Sequence, residues 1–272
     1  PTYLHQKSLY ARIGKQEGKL KLYGGFNHQV VWGNEKKIMG DDFTLSTFQT
    51  FIYVNMGKRY NGDSIKQTRV GNSLGSIDLG FEYRFRNIRL FVYRQSFYDA
   101  GALYYTANWL DGLNGVSIVN CRENSHKIGW NRFLIEFFYS KNQAGEKWSR
   151  FTPSPFEDYY NNNYYEGGWS YKGVGIGNPF ITPRGTTRKG LPAPSGYYFI
   201  NNRVAAIYGA FDAIVYKWHV VSKVSYSINY GTYRTSSTGK DYEGAIYPSP
   251  DGVFPTLRQF SGYLKAERNL VH

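Results

Sequence analysis

The sequence predicts an all-β chain, an antiparallel transmembrane barrel of the outer-membrane kind, from three observations. Apolar and polar residues alternate with period two through most of it. The alternating segments run about 10 to 16 residues, longer than a soluble sheet uses and matched to a tilted bilayer crossing. Connections switch between very short and long, which is the plan of barrels with tight periplasmic turns and large extracellular loops. A soluble sandwich would also alternate, but it would need a second sheet to cover such rows of Phe and Tyr.

Each element follows from its own pattern. Residues 7–16 and 19–33 read as two strands around the turn "QEGK", and residues 43–56, rich in Phe, Thr, Ile and Tyr, read as another. In "SLGSIDLGFEYRFRN", Ile77, Leu79, Phe81, Tyr83 and Phe85 alternate with Ser76, Asp78, Gly80, Glu82 and Arg84. A tight turn at Arg86-Asn87 leads into "IRLFVYRQSF", so the two form a hairpin. "HKIGWNRFLIEFFYS" and "KWHVVSKVSYSINYGTY" repeat the alternation, and residues 199–212 and 256–266 are further strand candidates. No segment of helical period stands out. If the apolar sides face lipid, the other sides line a lumen carrying Arg84, Arg89, Arg132, Arg203, Lys217 and Lys223 against Asp78, Glu82 and Glu136. Basic residues prevail there. Pairing across neighbouring strands, which would simply plug the barrel, accounts for them better than a dedicated anion conduit does.

Composition narrows the functional classes. A mean hydropathy of −0.52, with no run of about 20 apolar residues, excludes a bundle of membrane helices. Barrel strands leave the mean low, and an aromatic content of 18% suits rings placed where apolar surface meets water or headgroups. A single cysteine, Cys121, rules out an intrachain disulfide and a thiolate zinc site. The formal charge of +13 is spread over nearly every strand and turn, without the stripe that nucleic acid requires. It suits an acidic polymer or an anionic membrane surface instead. The opening "PTYLHQKSLY" lacks the charge and apolar pattern of a signal peptide, the close "KAERNLVH" is polar, and the expectation is one barrel domain over residues 1–272, truncated at both ends.

The segment 140–196 is the long loop, extracellular or plugging. Its run "YYNNNYYEGGWSYKGVGIGNPFITPRG" sets Tyr159, Tyr160, Tyr164, Tyr165, Trp169 and Tyr171 among asparagines and glycines. Flat rings beside amides suit the CH faces and hydroxyl rims of a saccharide, while the competing reading folds the same rings inward as a plug or a membrane girdle. Arg184, Arg188 and Lys189 would add attraction for acidic sugars.

That run, with "NNRVAAIYGAF", "GNSLGSIDLGFEYRFRNIRLFVYRQSFYD" and "NWLDGLNGV", resembles the capsule assembly Wzi family of Bacteroidetes-type bacteria over most of residues 19–235. The resemblance implies an outer-membrane barrel of about eighteen strands that acts as a surface lectin for capsular polysaccharide. It adds Trp109 and Asp111 to the binding candidates Tyr164, Tyr165, Trp169, Tyr171 and Arg184. The helical periplasmic part of some members is not recognisable, and the strands are too few for a complete barrel. The expected partners are an acidic capsular or extracellular polysaccharide and outer-membrane lipid, with no cofactor and no metal. A porin, or the barrel subunit of a transport or secretion assembly, is the alternative.

Enzymatic signals are sparse. His5, His28, His126, His219 and His272 stand at no metal-binding spacing, and His219 and Ser222 fall on opposite strand faces. Glu157, Asp158 and Glu166 supply acids for glycoside hydrolysis but equally balance nearby cations. The "GVGIG" run at 173–177 has neither the helix nor the lysine of a phosphate loop and reads as a bend.

Overall fold

In a computed structural model of the chain, the described residues are 3–63, 68–99, 105–122, 127–145, 155–237, 240–242, 245–247, 249 and 251–268. They form a mostly antiparallel β structure dominated by one nine-stranded sheet. Its strands are β1 (Tyr3–Ile13), β2 (Leu20–Trp32), β3 (Asn72–Arg84), β4 (Ile88–Asp99), β5 (Gly112–Asn120), β6 (Ile128–Tyr139), β7 (Val204–Val215), β8 (Trp218–Asn229) and β9 (Leu257–Arg268). Every neighbour in this sheet is the next of its nine strands along the chain, so the topology is a plain meander, with short two-stranded hairpins set in the long connections. The sheet is not closed: among the described residues β1 pairs only with β2, and β9 only with β8.

Short and long connections separate to the two ends. At one end the Phe85 N–H donates to the Ile88 carbonyl at 2.8 Å around Arg86-Asn87, the tight turn that the sequence predicts. At the other end lie the connections 33–71, 100–111, 140–203 and 230–256, and their described residues form a cap.

The two faces of the sheet differ along whole cross-strand rows. One row runs Ile13, Leu22, Phe81, Val92, Val116, Ile135, Gly209, Val224, Gly262 through all nine strands. The next row, one residue along and therefore on the other face, runs Arg12, Tyr23, Gly80, Tyr93, Gly115, Glu136, Tyr208, Ser225, Ser261. Leu79, Phe81, Ile135, Phe137 and Ile207 on the apolar face are all exposed. The polar face carries Arg84, Arg89, Arg132 and Lys223, as the alternation predicts. Glu82 offsets part of this charge, reaching Lys21 at 3.7 Å and Arg89 at 4.0 Å, and Asp212 sits directly across from Arg132.

Three tyrosines lie flat across glycines of the neighbouring strand to reach an acceptor one strand further. Tyr10 crosses Gly25 and donates to Asp78 Oδ2 at 2.7 Å; Tyr93 crosses Gly115 and donates to Glu136; Tyr98 crosses Gly75 and meets His28 Nδ1 at 2.9 Å. In each case a Cβ on the glycine would occupy the ring's own space. The missing side chain makes room for the ring.

Residues 43–56 do not form the predicted strand. Thr47–Met56 is helix α2, following a short helix α1 at Glu35–Met39. Local capping overrides β-propensity here: the Gln49 N–H donates to Ser46 Oγ at 3.3 Å, and Gln49 Oε1 accepts from the Ser46 N–H at 2.9 Å. Strand β5 went unpredicted because its glycine, asparagine and serine break the alternation. No helix among the described residues is long and apolar enough to cross a membrane, which leaves crossing by strands open.

Candidate functional site

The cap is built on two apolar clusters. Toward the connections the polar face turns apolar, and there Val31, Phe138, Val204 and Ala206 pack against Trp169, Ile181 and Phe199 of the long loop. A second cluster joins Val30, Trp32 and Val70 to Met39, Phe43 and Val54 of the helical connection and to Tyr165. The long loop therefore folds back onto the sheet and buries Trp169 and Tyr165, which are 2% and 1% exposed.

Asparagines hold the loop in place. Asn161 Nδ2 donates to the Phe199 carbonyl at 2.9 Å while its Oδ1 accepts from the Phe199 N–H at 3.0 Å, as a neighbouring strand would. Asn162 Oδ1 accepts from the Tyr164 and Tyr165 N–H groups. The Tyr165 hydroxyl accepts from the Gly71 N–H at 2.9 Å and reaches Glu35 Oε1 at 3.2 Å, tying the loop to the helical connection. Burial pushes that hydroxyl's pKa well above its ordinary value, and the neighbouring Glu35 adds to the shift.

Asp111 is wholly buried and joins the connection before β5 to two stretches of the long loop. Its carboxylate accepts from the Asn142 N–H at 2.9 Å, the Gln143 N–H at 2.6 Å and the Tyr159 hydroxyl at 2.8 Å. Burial raises its pKa to about 6 in spite of these donors. Asn108 Nδ2 extends the network to Glu157 at 2.6 Å. Asp111 and Glu157 are thus occupied in holding the cap, and Asp158 accepts from Asn161 at 2.9 Å.

The remaining candidates divide by exposure. Trp109, Tyr164 and Tyr171 present rings to solvent, at 63%, 40% and 68% exposed; Arg94 lies 5.2 Å from the Trp109 ring and Lys172 5.5 Å from that of Tyr171. Arg184 donates to the carbonyls of Pro194 and Tyr197, pinning its own loop. Arg203 is not on the polar face of a strand. It precedes β7, is buried, and spends its Nε–H on the Lys141 carbonyl at 2.9 Å with its guanidinium 3.8 Å from the Tyr233 ring. Lys217 lies in the two-residue turn between β7 and β8. His219 pairs with Asp212 at 2.9 Å, and among the described residues no group of His, Cys, Asp and Glu could hold a metal. His126 and His272 lie outside the described residues.

Two recesses were not legible in the sequence. A cavity of about 1060 Å³ lies between the long loop and the polar face, lined by Phe138, Phe180, Asn178, Thr187, Tyr208, Ser227 and Gln259 among others. A smaller pocket of about 200 Å³ brings Arg69, Asn72, Ser73 and Asp99 together with Asn162, Asn163 and Tyr164. Of its lining the sequence singles out only the loop run Asn162, Asn163 and Tyr164, because Arg69, Asn72, Ser73 and Asp99 come from segments far apart in the chain. Comparisons with protein-family models, with curated proteins and with solved structures find no match for this chain.

Proposed function

We propose that this chain forms part of an outer-membrane β-barrel of the Wzi type that holds an extracellular polysaccharide at the bacterial surface without cleaving it. The observation that carries the membrane part is the pair of adjacent rows, one apolar and mostly exposed across the nine strands, with Val92 and Gly209 half-buried, the next largely polar. In water that apolar area would be a liability, whereas lipid solvates it. Because nine is odd, β1 and β9 run in the same direction, so antiparallel closure takes an odd number of further strands.

The binding part rests on Tyr164, Tyr171 and Trp109, whose rings stay exposed on the cap, with Tyr164 lining the smaller, amide-bordered recess. The cap packs against the polar face, which supports a binder over an open porin. Detergent phase partition tests the membrane part, and recovery in the aqueous phase as a monodisperse species would overturn it. Retention of capsular polysaccharide is expected to fall at least tenfold in Tyr164→Ala/Tyr171→Ala. Equal retention by wild type and variant removes the loop from the site, and large steady currents in a planar bilayer favour the porin.

A further inference from the structure

We infer that the pocket between Arg69, Asn72 and Tyr164 is a subsite for the carboxylate of a single acidic sugar unit. The inference rests on the polysaccharide reading above and names the chemistry one of its subsites takes. Two donors, Arg69 and Asn72, line this pocket beside a single carboxylate of the lining, that of Asp99. Asn72 is 3% exposed and its Nδ2 has no hydrogen-bond partner among the described residues. Arg69 is half-buried and makes no ion pair among them. A buried donor left unpaired is costly, so the pocket favours a ligand rich in acceptors.

The ligand's size and charge follow from the walls. A volume of about 200 Å³ is below that of ordinary small-molecule sites and takes one ring, not a chain. Tyr164 at the rim, 40% exposed, offers a face for the CH side of a pyranose, and Asn162 and Asn163 border it. A guanidinium beside an amide N–H matches the two coplanar oxygens of a carboxylate. Asp99 lines the same pocket and would repel a phosphate dianion more strongly than a monoanion. Burial, with Arg59 near, lowers the Arg69 pKa against the opposing pull of Asp99 and Glu157.

Saturation-transfer NMR on the full chain in detergent tests this with glucuronate, galacturonate, mannuronate and N-acetylneuraminate, each beside its methyl ester. The ester keeps the ring and removes the charge. At least one acid is expected to bind tenfold or more tighter than its ester. Arg69→Gln should erase that preference. Asn163→Asp, at an exposed rim position, should weaken the acid selectively, and it serves if Arg69→Gln does not fold. Tyr164→Ala should weaken acid and ester alike. Equal binding of acid and ester by wild type overturns the inference and leaves the saccharide reading standing, whereas no binding of any sugar by folded protein overturns both. Displacement of the acid by an equal concentration of inorganic phosphate also overturns it.

Discussion

Trp169 and Tyr171 stand two residues apart and have opposite fates. Trp169 is enclosed with Phe199, Ile181 and Phe138, its ring 5.8 Å from that of Tyr160, while Tyr171 projects from the short hairpin that follows. Trp169→Ala should therefore lower stability by about 3–5 kcal/mol in denaturant titrations, and Tyr171→Ala by no more than about 0.5 kcal/mol. Loss of glycan binding in the second variant without loss of stability would assign the ring to recognition. At Asp111 the folded pKa is raised, so the folded state holds its proton more tightly than the unfolded chain does. The stability this contributes is complete below about pH 4 and is lost as pH rises to about 6. Thermal unfolding of wild type and Asp111→Asn across that range should show a stability difference that shrinks in favour of the variant by about 2–3 kcal/mol as pH rises. A constant difference would mean that Asp111 titrates normally. Composition signals the ring-rich loop, but which ring is buried depends on residues such as Phe138 and Val204, which are remote in sequence.

Among the elements, the strands were the most legible part of the fold because period two is imposed by the strand itself. β3, β4, β6 and β8 follow their alternation closely, and the turn at Arg86-Asn87 is where the sequence places it. Helix α2 was not legible, since its Phe, Thr, Ile, Tyr and Val content is that of a strand and only the Ser46–Gln49 capping box marks it. The two faces make a prediction that separates lipid from water. Leu79→Arg, on the exposed apolar face, should cost about 2–4 kcal/mol of stability in a bilayer, or less if it lies near the interface. Ser225→Arg, on the polar face beside the large cavity, should cost less. Heat-modifiable migration of the folded protein on gels reads both. If Leu79→Arg improves solubility without detergent, the apolar face is not a lipid face. The tyrosine–glycine crossings are testable as well. Gly115→Ala should displace the Tyr93 ring from its path to Glu136 and cost about 1–3 kcal/mol by overpacking. Gly24→Ala, on the same sheet with open space at its Cβ, should cost less than Gly115→Ala.

Across the whole molecule, nine strands in a plain meander leave two edges, parallel in direction, without a strand partner among the described residues. A direct β1–β9 seam would introduce the sheet's one parallel pair, so cysteines placed at Ala11 and Gly262 in a Cys121→Ser background should not cross-link within one chain. Efficient intrachain cross-linking would show that the sheet closes on itself. The sequence by itself determined the β class, the alternation of faces and the short-long rhythm of connections, because strand geometry and turn chemistry are local. It also marked the aromatic loop as unusual. Tertiary structure alone decided that the loop folds back as a cap, that Arg184 and Arg203 spend their hydrogen bonds on backbone carbonyls, and that Arg69, Asn72 and Tyr164 share a pocket. Those outcomes depend on which distant surfaces meet once the strands are in register, and no local period encodes that meeting.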